Sequence, residues 1–159
     1  MSLALFMGQK VQFAGVLLEL EGDWRDITDT LPAGTPPTLA LENGIGALQF
    51  SVALYNKGKP PDMQNSHLER FLYFFEDAQS FERKSKTIQF EGKDTFGLSC
   101  EYDLPSSFIR VWYVSDGMNL AFLTYTSVND QSEAFQCELG QATAIAESVQ
   151  FHPRNSESV

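Results

Sequence analysis

The sequence predicts an α+β fold, an antiparallel β-sheet flanked by helices, and three observations carry that expectation. Residues 107–115 and 119–127 are β-branched and aromatic runs joined by Asp116-Gly117-Met118. An Asp-Gly step supplies the positive φ of a tight hairpin, so the two runs pair antiparallel at the centre of the sheet. Residues 47–55 alternate: Leu48, Phe50, Val52 and Leu54 face one side, Gln49 and Ser51 the other, as in a half-buried strand. Two further stretches, 66–79 and 130–149, place apolar residues at helical spacing.

The remaining elements follow in order. Residues 11–21 read as extended with an interruption at Gly15, a candidate bulge. Glu21-Gly22-Asp23 turns the chain into a short strand at 24–28, and 38–42 make a third strand ended by Asn43-Gly44. The loop between them, residues 31–37, holds three prolines and is stiff. The first helix opens on Ser66 and Glu69, a capping-box spacing, and buries Leu68, Phe71, Leu72, Phe75 and Ala78. Residues 86–90 and 95–102 form another hairpin, turning at Gly92-Lys93. The last helix starts near Asp130, whose spacing to Glu133 suits a second capping box, and its stripe is Phe135, Leu139, Ala142, Ile145, Ala146 and Val149. Gly140 inside that helix costs about 1 kcal/mol relative to Ala, which a close helix–sheet approach would justify.

Composition bounds the function. At 159 residues the chain is expected to form one domain over residues 1–152, with a frayed polar tail at 153–159. The thirteen Phe residues point to an aromatic interior. Five basic residues against ten acidic in 1–80, and six against eleven in 81–159, leave −5 on each half. Phosphate backbones and anionic membranes would be repelled, so nucleic acid is not expected as a partner; a basic protein surface, or simply solubility, is the more natural reading of the charge. No stretch approaches the ~18 apolar residues of a spanning helix, and the apolar start at 1–8 lacks a basic leader region, so a cytoplasmic protein without membrane insertion is expected. The two cysteines, Cys100 and Cys137, are too far apart for a metal knuckle; a disulfide between them stays open, though a chain of this size does not require one.

No side-chain set reads as catalytic. Asp23, Asp26 and Asp29 recur every third residue, but an EF-hand needs alternate ligands, a central Gly and a closing Glu, so a solvated strand edge is the better reading. The two histidines, His67 and His152, lie in a helix start and near the terminus, and Cys100 falls in an inward strand set with Phe96, Leu98 and Tyr102, the setting of a structural thiol. Gly44-Ile45-Gly46 lacks the third glycine of a dinucleotide fingerprint. Neither an enzyme nor a cofactor is expected.

Five residues are candidates for binding: Trp24, Tyr55, Arg110, Trp112 and Tyr113. Arg beside Trp with aromatic neighbours has the composition of an interface anchor. The competing reading, preferred because both faces of a sandwich need covering, buries Phe108, Arg110, Trp112 and Val114 under a helix and pairs Arg110 with an acid. Trp24 carries the same two readings. Lys57-Gly58-Lys59 and the cluster Arg83, Lys84, Lys86 are the local concentrations of positive charge, read as solvated.

Four segments carry a resemblance. They are the turn Glu21-Gly22-Asp23-Trp24, the strand Gly46-Ala47-Leu48-Gln49-Phe50-Ser51, the strand–turn–strand from Ile109 to Thr126, and the terminal Ala144-Ile145-Ala146-Glu147-Ser148-Val149-Gln150-Phe151. Together they resemble the PsbP-like superfamily, shared by the photosystem II extrinsic protein, Mog-type Ran-binding factors, and bacterial DcrB-like and effector-chaperone proteins. The resemblance implies an α/β/α sandwich without enzymatic activity whose members bind proteins, here of the bacterial immunity or adaptor type. It transfers no binding site. The rival expectations are a small-molecule binder or enzyme with a pocket between sheet and helix, lined by Phe50, Tyr55, Trp112 and Tyr125, and a homodimer built on the aromatic sheet face.

Overall fold

The computed structural model of the chain describes residues 8–20, 22–129 and 131–152. Asp130, the expected helix cap, and the tail at 153–159 lie outside the described residues. Among the described residues, nine strands and two helices run in the order β1 (Gln9–Phe13), β2 (Val16–Leu20), β3 (Trp24–Asp26), β4 (Thr38–Leu41), β5 (Gly46–Ala53), α1 (Asn65–Gln79), β6 (Ile88–Gly92), β7 (Thr95–Asp103), β8 (Phe108–Ser115), β9 (Leu120–Ser127) and α2 (Glu133–Glu147). A short 3-10 turn, Thr28–Thr30, follows β3.

Seven strands form one antiparallel sheet in the order β3-β4-β5-β9-β8-β7-β6, and β1-β2 form a separate hairpin. The β8–β9 hairpin is central, as its turn chemistry predicts. Asp116 Oδ1 accepts from the backbone N–H of Met118 and Asn119 at 3.0 and 2.8 Å, and Gly117 takes φ 100°. α1 packs on one face of the sheet; α2 and the β1-β2 hairpin pack on the other. The α+β expectation holds, and with it the sandwich.

Period-two alternation assigns each strand residue to a face. On β8, Phe108, Trp112 and Val114 join the core under α2, while Val111 and Tyr113 join the core under α1. The α2 stripe is as expected, with Phe135, Ala142, Ile145, Ala146 and Val149 at 1 % exposure or less.

Several local expectations are corrected. Gly15 is no bulge: Ala14 and Gly15 have φ 55° and 89° between paired Phe13 and Val16, the two-residue turn that closes a hairpin. Ala in place of the usual Asn or Asp hid that signal. Gly92 ends β6 rather than turning it, and Asp94 takes the positive φ of the turn. A Cβ on Gly92 would lie 2.4 Å from Thr95 Oγ1 and 2.9 Å from the Glu147 carbonyl at the end of α2, so glycine is there for close approach. Gly140 shows the reverse: a Cβ there would meet nothing within 4 Å, so no helix–sheet approach explains it. The first helix is capped two residues earlier than Ser66–Glu69, by Gln64 and His67. The Gln64 side chain accepts from the His67 backbone N–H, and His67 Nδ1 accepts from the Gln64 backbone N–H at 2.9 Å. Ser132 caps α2, its Oγ accepting from the Phe135 N–H at 3.1 Å. Leu54, expected inward, lies beyond β5 and is exposed.

Candidate functional site

The five binding candidates do not converge. Trp24 is buried, its indole N–H donating to Gln141 Oε1 on α2 at 2.8 Å, and it ties the β3 edge to the helix. Trp112 is fully buried under α2. Tyr113 lies on the opposite face under α1, stacked on Phe122 at 4.6 Å, with its hydroxyl donating to the Phe71 carbonyl. Burial pushes its phenol up to about 12. Tyr55 sits past the end of β5, where its N–H donates to Asn119 Oδ1 at 2.6 Å and its hydroxyl to the Gly58 carbonyl.

Arg110 is held inside the sheet. Its guanidinium donates to Ser99 Oγ at 2.9 Å, lies 3.5 Å from Glu101 and stacks 5.2 Å from the Trp112 ring. Desolvation lowers its affinity for the proton, and the Glu101 carboxylate opposes that shift. This is the geometry of a stem packed against aromatics with its head paired, reached through cross-strand neighbours on β7.

Two acids that sequence reasoning passed over organise the molecule. Glu138, 3 % exposed on α2, accepts from the Tyr125 hydroxyl at 2.6 Å and from the Ile45 and Gly46 N–H groups at 2.9 and 2.7 Å. It fastens the start of β5 to α2, and three donors compensate the desolvation of the carboxylate. Its place three residues after Phe135 and four before Ala142, inside an apolar stripe, was the signal available. Glu76, on α1, accepts from the buried Tyr102 hydroxyl at 2.7 Å and pairs at 2.5 Å with Arg83. That pairing raises the Arg83 proton affinity.

Cys100 and Cys137 are both free, the first buried beneath α1 and the second exposed on α2. Burial pushes the Cys100 thiol up, away from the thiolate that nucleophilic chemistry needs. His67 is engaged in the helix cap, and Asp26 accepts from the Thr28 N–H and hydroxyl at 3.0 and 2.6 Å. Among the described residues no group of three His, Cys, Asp or Glu side chains is placed to hold a metal ion, nor is any helix long and apolar enough to cross a membrane.

The pocket expected from Phe50, Tyr55, Trp112 and Tyr125 does not form, because Phe50, Trp112 and Tyr125 pack into the core under α2. Concavities form elsewhere, and two of them bear on binding. One, of about 620 Å³, lies among the loops at one end of the sheet, with Leu17, Tyr55, Lys93, Asp116, Met118 and Phe151 in its wall. The other, of about 400 Å³, is apolar throughout: Phe71, Phe74, Phe75, Tyr113, Leu120 and Phe122 line it where α1 meets β9. Phe74 and its neighbour Tyr73 are 65 % and 57 % exposed. Phe74 also walls a groove on its far side with Tyr73, Glu76, Asp77, Ser80 and Glu82. The sequence held the signal for this surface in Phe71, Tyr73, Phe74 and Phe75, more aromatics than one buried helix stripe accommodates.

No family model and no curated protein matches the sequence. Solved structures do match the fold, among them the solution structure of cyanobacterial PsbP (CyanoP) from Synechocystis sp. PCC 6803, with a TM-score of 0.55, 12% identity and 96% of each chain covered. The fold is therefore PsbP-like, as the four sequence segments imply.

Proposed function

We propose that the chain is a non-enzymatic cytoplasmic protein-binding scaffold, of the bacterial immunity or effector-adaptor kind, that docks a partner on the α1 side of its sheet. One observation carries this reading: Tyr73 and Phe74 stand exposed on α1 beside an apolar cleft into which the covered part of the sheet face opens. Exposed aromatics contiguous with an apolar cleft and rimmed by polar residues are the kind of patch that marks protein–protein contact. A photo-crosslinking residue at position 74, compared with one at exposed Gln136 on α2, tests it in the native host. A discrete adduct from position 74 and none from position 136 is expected. Equal labelling from both positions, or none from either, rejects a dedicated surface on α1.

A second reading is supported by the loop-end groove, whose volume of about 620 Å³ falls in the range of small-molecule sites. A metabolite panel that raises the melting temperature of the wild type, but not of a Met118→Trp variant that fills the groove, would favour a ligand binder.

A further inference from the structure

The docking surface has a direction, and its two ends differ in charge. Arg70 lies one turn before Phe74 on α1, on the same side of the helix. At the other end the helix closes on Ser80 in the left-handed conformation, with no basic residue in its last turn. That end is the negative pole of the helix dipole, with the Asp77 and Glu76 carbonyls capped by the Ser80 and Phe81 N–H groups. Asp77 and Glu82 add two exposed carboxylates in the groove that shares Phe74 with the apolar cleft. Glu76 is spent on Arg83 and Tyr102, whereas among the described residues no ion pair reaches Asp77 or Glu82. Arg83 itself is turned back over the Tyr73 ring at 4.9 Å. A cation is therefore wanted at the Ser80 end and resisted at the Arg70 end, with an apolar cleft beside the ridge.

Resting on the scaffold reading, we infer that the partner inserts an aliphatic or aromatic anchor into the cleft lined by Phe71, Phe74, Phe75, Tyr113, Leu120 and Phe122, and sets a Lys or Arg flanking that anchor against Asp77 and Glu82. The occupant is a basic segment of another protein, in keeping with a chain of net charge −10. The apolar cleft supplies affinity, and the carboxylates set orientation and exclude acidic partners.

Two synthetic helical peptides test this with the full-length purified chain, each with a Leu/Phe stripe, one flanked by lysines and the other by glutamates. Fluorescence anisotropy at low salt should show the lysine peptide binding at least roughly tenfold tighter. Asp77→Lys with Glu82→Lys should cut that preference to about twofold or less, and Phe74→Ser should weaken both peptides. All three side chains are exposed, so an unchanged melting temperature certifies the variants as folded. Equal affinity for the two peptides overturns the charge inference. If Phe74→Ser still weakens both, the scaffold reading survives that loss; if it weakens neither and position 74 yields no crosslink, both fall. Concentration-dependent dimerisation that Phe74→Ser abolishes would replace the basic partner with a second copy of the chain and so overturn the inference.

Discussion

The two faces of the seven-stranded sheet are finished differently. On one face α2 and the β1-β2 hairpin cover Leu48, Phe50, Trp112, Leu123 and Tyr125, strand after strand, and all are at 1 % exposure or less. On the other, α1 lies over β7 and β8, covering Leu98, Tyr102 and Val111. Further along that face Ser51, Ala53 and Thr126 are exposed. Seven strands spaced about 4.8 Å apart are roughly 30 Å across, three times the width of one helix. One face recruits a hairpin to make up the difference. The other changes its residues from apolar to polar instead, and the seam between the two regimes is the Phe74–Phe122 cleft. A face closed by packing has been spent on stability; a face left at a seam is available for recognition.

The comparison can be broken by substitutions on each side. Trp112→Ala empties the closed face and should cost about 3–5 kcal/mol, read as a loss in the urea midpoint. A cost under about 1 kcal/mol would mean that face is loosely packed. Glu138→Ala strands the buried Tyr125 hydroxyl and two backbone donors, for about 3 kcal/mol, with Glu138→Gln losing less because an acceptor oxygen remains.

Alkaline titration examines the face under α1. Burial raises the Tyr113 phenol to about 12 from an ordinary 10.0, and burial followed by the hydrogen bond to Glu76 raises Tyr102 further. The folded state thus keeps protons that the unfolded chain releases. Stability is complete below pH 10.0 and falls as pH rises towards about 12, by up to about 1.4 kcal/mol per pH unit for each tyrosine. Denaturation midpoints between about pH 9 and pH 12 should show that slope, and Tyr113→Phe should reduce it to the share that Tyr102 contributes.

Smaller effects sharpen the contrast. Gly140→Ala, on the solvent side of α2, should stabilise by about 1 kcal/mol, since a methyl there meets nothing and the helix gains rigidity. Loss of stability would restore the packing role that the sequence suggests. Phe74→Ser should change stability by no more than about 0.5 kcal/mol, because the side chain is 65 % exposed. A large loss there would make the seam part of the core.

The periodicities determined most of what could be read without coordinates. Alternation over Leu48, Phe50 and Val52, the Asp116-Gly117 turn and the Phe135–Val149 stripe each follow from a local repeat that only one burial pattern satisfies. Local chemistry was less legible where two solutions fit, as with Ser66–Glu69 against Gln64–His67, which compete to cap one helix. The candidate surface was legible only as a surplus of aromatics at Phe71, Tyr73, Phe74 and Phe75, with nothing to say which of them stay uncovered. Whether Trp112 is an anchor or core, whether Glu138 is exposed or ligated by Tyr125, and whether Phe74 is covered depend on which element lies opposite. Strand pairing between residues distant in sequence decides that, because a side chain's face is fixed by its own strand while its neighbour across the layer is fixed by the path of the whole chain.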